Sequence, residues 1–308
     1  MKKIYYILFI VFTVFLNACT TKKQKKNNNK SSAIQNLYFG QKPPRLIPEI
    51  FAPGTISLNG RYEHGISFSP NLDEVYFSAN KDGGLTDIYF SKLEGEKWTP
   101  VKKAKFTKGE KDEEMHPFVS LDGKKIYFVG LNADNTDVKI WHVDRLENSW
   151  SNARRLDSPI NDDKVFYPNQ AKNGDFFYTN ISDRRNIKIQ NAFNKNGRFP
   201  ETQEVNIEFG VHAFIAPSQD YLVVNARNKE DEARNDNEIY VCFKKKNGTW
   251  SKPINLGESV NSTFGETCPS ITPDGKYLFF GRYNEEGGLS NFYWVSTEVI
   301  HKVKPSDI

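Results

Sequence analysis

The chain has 308 residues, 26% of them charged and 38% hydrophobic, which excludes both a disordered chain and a multispan membrane protein. Seven of its 42 basic residues lie in the first 36 positions, which hold no acid; the other 35 face 38 acidic residues, so the body carries about −3 and has no electrostatic motive for binding nucleic acid. Aromatics reach 14%, a bias toward strands, and three cysteines are too few for a disulfide-stapled scaffold.

In chain order, Lys2 and Lys3 precede an apolar run over residues 4–16. That run is shorter than the roughly 20 residues that span a bilayer. It ends in Leu16-Asn17-Ala18-Cys19, which resembles the lipobox of bacterial lipoproteins. The resemblance implies a signal peptide over 1–18, cut before Cys19, with acyl chains on the thiol and on the new amine of Cys19. Two or more chains make a durable membrane attachment where one holds reversibly. Residues 20–36 carry five Lys among Asn, Gln and Ser, so a lipidated and disordered basic tether is expected over 19–36. Surface-exported lipoproteins of some bacteria carry acids after the cysteine. The basic stretch here places the expected site on the periplasmic side of the outer membrane. The folded domain is expected over 37–308.

A pattern then recurs with starts at Ile66, Pro117, Pro168, Ala213 and Pro269, in steps of 51, 51, 45 and 56 residues. Each unit opens with a short strand and a tight turn of Asn, Asp, Gly or Ser, residues that tolerate hairpin dihedrals. Second strands are predicted at 74–79, 125–129, 176–180, 221–225 and 277–281. Third strands are predicted at 87–90, 139–141, 188–190, 238–241 and 291–294. Trp98, Trp150, Phe199 and Trp250 start a fourth segment, and the three tryptophans are read as packing anchors between units. Four strands per unit reads as a β-propeller blade. The last unit stops after its third strand, while residues 48–59 look like a detached fourth segment. An early strand completing the last blade would remove an open sheet edge. The prediction is all-β: a five-bladed propeller of four-stranded antiparallel blades, closed by an N-terminal strand, with six blades as the alternative. No 10-residue stretch of the mature chain shows a sustained helical period.

Pro273-Asp274-Gly275-Lys276 followed by Leu278 and Phe280, and Gly83-Gly84-Leu85-Thr86-Asp87-Ile88-Tyr89, resemble TolB-type, WD40-like β-propeller repeats over about residues 60–297. Asn173-Gly174 and Ser218-Gln219 depart from the Asp-Gly turn of that pattern. The resemblance implies a propeller and a bacterial envelope location, and implies little about activity.

In a propeller the first strands line the central channel. One step before each repeat start stand Gly65, His116, Tyr167, His212 and Cys268. Two residues earlier stand Glu63, Glu114, Val165, Gly210 and Glu266, and His64 lies one position off the ring. These residues are expected to gather at one channel mouth. A metal would want His116, His212 and Cys268 or a glutamate. Because no His-x-x-x-His pair occurs and equivalent positions in different blades are expected to sit too far apart across the channel, no metal and no cofactor are expected. Glu114 with Glu266 or Glu63 has the makings of a glycosidase or lyase acid–base pair. Against that, the Ser-x-Asp-x-Gly-x-x-Trp box of sialidase-type propellers is absent. The expectation is therefore a noncatalytic module that binds an envelope protein or glycan through Glu63, His64, Glu114, His116, Tyr167, His212, Glu266 and Cys268. A carbohydrate-active enzyme is the alternative. Loop residues Arg184, Arg185, Arg227, Arg234, Arg282 and Tyr283 are further candidate contacts. The stretch Asn228–Asn237 reads as a solvated loop. Cys242 and Cys268 read as buried free thiols. No Walker or GxGxxG glycine loop supports nucleotide binding.

Overall fold

The five predicted turns are one structure repeated. In a computed structural model, which describes residues 36–81, 83–147, 149–231, 234–284 and 289–308, the turn position with positive φ is Leu72, Gly123, Gly174, Gln219 or Gly275. Its amide donates to the carbonyl three residues back in every case, at 2.7–2.9 Å. Leu72 and Gln219 hold a conformation that glycine adopts at lower cost. This explains why the Asp-Gly signature can vary without losing the turn. The predicted signal, Cys19 and most of the tether lie outside the described residues. Residues 36–43 belong to a unit separate from 44–308, and a turn closes there with Gln41 donating to the Tyr38 carbonyl at 3.0 Å. Among the described residues no helix is long and apolar enough to cross a membrane.

The second unit opens with β1 (Glu49–Ile50) and continues as five antiparallel meanders. The first comprises β2 (Arg61–Phe68), β3 (Glu74–Lys81) and β4 (Asp87–Glu94), with β5 (Lys97–Trp98) and β6 (Lys102–Lys103) both pairing β4. The second is β7 (Glu113–Val119), β8 (Lys125–Leu131), β9 (Lys139–Asp144) and β10 (Arg154–Arg155). The third is β11 (Val165–Gln170), β12 (Phe176–Asn180), β13 (Lys188–Ala192) and β14 (Thr202–Glu204). The fourth is β15 (Val211–Ile215), β16 (Tyr221–Arg227), β17 (Asn237–Phe243) and β18 (Ile254–Asn255). The fifth is β19 (Glu266–Ile271), β20 (Tyr277–Tyr283) and β21 (Ser290–Ser296).

The clasp is present. β1 pairs antiparallel with β21, Glu49 opposite Trp294, so the earliest strand is the fourth strand of the last meander. The Phe51 amide donates to Phe292 O at 2.8 Å, and Ser296 N donates to Arg45 O at 2.9 Å. A parallel bridge between Tyr62 and Ser290 joins the last meander to the first. Inner strands β2, β7, β11, β15 and β19 neighbour one another in that order, and β19 returns to β2. Side chains stitch this circuit: Ser67 Oγ accepts from Val119 N at 3.0 Å, Asn169 Oδ1 from Ile215 N at 2.9 Å, and Ser270 Oγ donates to Ile66 O at 2.9 Å.

Second-strand starts match the prediction, because the turn fixes them. Fourth strands are only two or three residues long, and Trp98 opens a small hairpin while β6 takes the outer edge. Two short helical elements were not predicted: a 3-10 turn over Pro159–Asp162, which buries Ile160, and α1 (Glu298–Lys302), which buries Val299 and Ile300 against the core. Five residues are too few to show a helical period.

Faces between meanders are filled by aromatics. Trp150 of the second donates Nε1–H to Tyr76 OH of the first at 3.1 Å, and Arg145 lies over its ring at 4.3 Å. Trp250 of the fourth packs on a cluster holding Phe177 of the third. Beside Trp150, Arg145 reaches across to Glu74 at 2.6 Å while Lys92 binds the same carboxylate at 2.9 Å. Burial pushes the Glu74 carboxyl up, but Arg145 and Lys92 outweigh it and hold it below its ordinary value. A lowered folded value means stability that is present above about pH 4.3, the unfolded value, and is lost as pH falls through the folded one. Glu74→Gln should therefore cost about 1–2 kcal/mol at pH 7 and flatten the acid limb; solvent screens the pair because Lys92 and Arg145 are 30% and 35% exposed. Urea midpoints from pH 7 to pH 3 check it, and parallel curves for both proteins would count against the bridge.

Candidate functional site

Each inner strand breaks its ladder once. Register shifts fall at His64/Ile66, Met115/Phe118, Phe166/Asn169, Val211/Phe214 and Thr267/Ser270. The residue in each break is the predicted ring member, with φ of +60° at Gly65, +52° at His116, +57° at Tyr167, +49° at His212 and +51° at Cys268. Four of the five are not glycine, and each costs roughly 1–3 kcal/mol in the left-handed region. Bulges re-aim side chains. The freed amides are caught by the preceding meander: His116 N donates to Ser78 Oγ at 2.7 Å and Cys268 N to Asn225 Oδ1 at 3.3 Å.

The side chains converge. His116 lies with ring centroids 4.8 Å from His64, 5.1 Å from Tyr167 and 5.8 Å from His212. Tyr167 and His212 are 5.2 Å apart, and Tyr167 OH donates to Pro269 O at 2.9 Å. Tyr62 stacks on His64 at 4.7 Å, and its hydroxyl is 3.2 Å from that of Tyr283. Donor atoms of His64, His116 and Cys268 all lie within 4.8 Å of one another. Cys268 lies beside both His212 and His64, and His212 Nδ1 is 2.9 Å from Asn225 Oδ1. The expected separation across a channel is thus overturned. His64, His116, Tyr167 and Cys268 are buried and His212 is half-buried, so the group plugs the axis instead of lining an open mouth.

Gly65 makes this packing feasible: a Cβ there would meet His116 Nδ1 at 2.7 Å. Burial pushes the His116 imidazole well below its usual range, with the His64 and His212 rings adding to the effect. Burial alone would raise the Cys268 thiol, but His212 and His64 outweigh it and bring it down to about 5. His212 is raised against the pull of burial by Cys268 and Asn225. The neighbouring imidazoles thus favour the thiolate form of Cys268. Cys242, by contrast, sits alone and burial pushes its thiol up to about 12; neither cysteine is in a disulfide.

The three glutamates do something else. Glu63 accepts from Leu58 N at 2.8 Å, from Arg61 Nη2 at 2.6 Å and from Phe292 N at 3.3 Å. Glu114 accepts from Phe106 N at 2.9 Å, and from Thr107 N at 2.6 Å and its hydroxyl at 2.7 Å. Glu266 accepts from Arg282 Nε at 2.8 Å and Ser262 Oγ at 2.7 Å. All three are buried and clamp the loop that enters their own meander. Burial raises the Glu63 and Glu266 carboxyls, with Arg61 and Arg282 among the groups opposing it. Of the loop arginines, Arg282 is bound to Glu266 and Arg234 to Asp236 and Glu238, while Arg184, Arg185 and Arg227 are exposed. The stretch Asn228–Asn237 is not simply solvated, because Asn228 is buried and donates to Glu238 at 2.9 Å. Asn225 and Ser78 escaped sequence reading. Their signal was a polar residue in the middle of an otherwise apolar second strand.

No protein-family model matches the chain, and no curated protein matches it significantly. Solved structures do. The putative TolB of Agrobacterium tumefaciens superimposes with a TM-score of 0.51 at 15% identity, over 78% of this chain and 78% of that one. A GH43 endo-arabinanase from Bacillus licheniformis gives 0.51 at 12% identity, over 78% and 95%. TolB from Acinetobacter baumannii gives 0.49 at 13%, and the match covers 76% of this chain but only 57% of that TolB. What is shared at such identities is architecture. With the closed circuit of meanders, the two matches at 0.51 make the chain a β-propeller protein. Its propeller is TolB-like, as the repeat signature implied.

Proposed function

We propose that this chain is a lipid-anchored envelope propeller that binds a protein or glycan on one face without turning it over. The observation that carries this reading is the state of the carboxylates. Glu63, Glu114 and Glu266 are each taken up by main-chain amides, hydroxyls or an arginine, which leaves none of them placed as an acid or base for a sugar.

Loops entering the inner strands and loops between second and third strands share one edge of the meanders. That edge carries Leu85, Ile187 and Phe264, exposed by 51%, 36% and 45%, with Arg184 and Arg185 close to Ile187 in the chain and Arg227 at the start of the corresponding loop of the fourth meander. Six large apolar side chains are strongly exposed among the described residues, and three of them are here. Apolar anchors flanked by arginine are the usual chemistry of a recognition surface.

The full chain, purified in detergent, should capture an envelope component or a glycan on an array. Leu85→Glu and Phe264→Glu should weaken that capture at least tenfold, while Glu114→Gln leaves it unchanged. Release of sugar from an envelope or dietary polysaccharide, lost in Glu114→Gln or Glu266→Gln, would overturn the reading and install the carbohydrate-active enzyme. Incorporation of a clickable fatty acid, abolished in Cys19→Ala, tests the anchor separately.

A further inference from the structure

We propose that the axial cluster is a transition-metal site, in which the imidazoles of His64 and His116 and the thiolate of Cys268 hold one zinc or copper ion, with His212 as the fourth donor. The site is distinct from the docking edge and does not depend on that reading.

Three observations carry it. First, the donor set is geometric fact: ligand atoms of His64, His116 and Cys268 lie within 4.8 Å of one another. Metal bonds of about 2.0–2.3 Å set neighbouring ligands roughly 3.3–3.8 Å apart, so closure needs about 1 Å of side-chain movement. Second, Nδ1 of His116 is buried and has no hydrogen-bond partner among the described residues. A buried ring nitrogen left empty is destabilising, and a metal accepting its lone pair at that position removes the cost. Third, a second layer of contacts orients the donors: Asn225 Oδ1 holds His212 Nδ1 at 2.9 Å, and Tyr62 stacks on His64 at 4.7 Å. Left-handed φ at His116, His212 and Cys268 is what aims three of the four donors at the axis. Strain of this kind concentrates where function demands a geometry.

Imidazole with one thiolate suits zinc or copper; calcium and magnesium require oxygen ligands and are excluded by chemistry. The order Cys268–His212–Asn225 also matches a thiol–imidazole–amide catalytic relay. Cys268 is only 2% exposed and is ringed by His116, Tyr167 and His212, which leaves no room for a carbonyl substrate. An ion needs no such room, and half-buried His212 gives it a way in.

The test uses the full chain in detergent, stripped with chelator and reloaded with Zn(II), Cu(II) or Co(II). One equivalent of metal per chain is expected to survive desalting. X-ray absorption at the metal edge should show one sulfur near 2.3 Å and nitrogens near 2.0–2.1 Å. Cobalt should give a thiolate charge-transfer band that Cys268→Ser abolishes and Cys242→Ser keeps. His64→Gln and His116→Asn should each weaken binding at least tenfold; Asn tolerates the left-handed φ, so the fold is expected to survive. Substoichiometric metal, or a ligand shell without sulfur in the unsubstituted chain, overturns the proposal. Rapid alkylation of Cys268 in the folded, metal-loaded protein would overturn it in favour of the catalytic relay.

Discussion

Phe51→Ala is expected to destabilise the propeller by about 3–5 kcal/mol. Phe51 follows β1 and is fully buried. Its ring sits edge-on at 5.9 Å from Phe68, 5.0 Å from Phe279 and 5.3 Å from Trp294, so one side chain fills the junction of the first and last meanders. At roughly 2–4 °C per kcal/mol for a domain of this size, the melting temperature should fall by roughly 6–20 °C. Ile50→Ala is the control: that side chain is 36% exposed and its loss should cost below about 1 kcal/mol. Equal losses for the two substitutions, read by urea denaturation, would show that the clasp is not what holds the junction.

Glu63→Ala should cost a similar amount, about 3–5 kcal/mol, because it removes one partner of a buried pair. Arg61 would be left with 12% of its side chain exposed and no carboxylate. The amides of Leu58 and Phe292 would lose an acceptor at the same time. Glu63→Gln keeps one acceptor oxygen and the shape, so it should recover about half of the loss. A residue serving only as acid or base would show the reverse: little change in stability and similar damage from both substitutions. The same comparison at Glu266 and Glu114 separates loop clamping from chemistry throughout the ring.

Much of the fold was legible because the turn chemistry repeats. Asn, Asp, Gly or Ser at a fixed offset marked five second strands, and Trp150 and Trp250 announced packing between meanders. The ring of Gly65, His116, Tyr167, His212 and Cys268 was also legible, since equivalent positions in a repeat occupy equivalent places. Its character was not. Sequence spacing placed these residues around an aqueous mouth, whereas a backbone bulge at each one turns the side chains into a closed plug. Nothing in the types His, Tyr and Cys announces a left-handed φ; only Gly65 does so by itself. The glutamates misled for a related reason. A carboxylate two residues before an inward-facing ring looks available to solvent, but it folds back on the loop entering its own meander, and the amides it caps carry no sequence signal. Fourth strands of two or three residues fall below any periodic pattern.

Pairing of β1 with β21 joins parts of the chain more than two hundred residues apart, as the 235-residue separation of the Ser57–Phe292 contact shows. A chain made from one end presents its first strand long before the proper acceptor exists. Until each meander gains its own outer strand, β4, β9, β13 and β17 all offer β1 an edge of the same kind. Mispairing with one of them is the natural kinetic trap. The correct circuit forms only when synthesis has passed Ser296, so ring closure is necessarily a late and slow event.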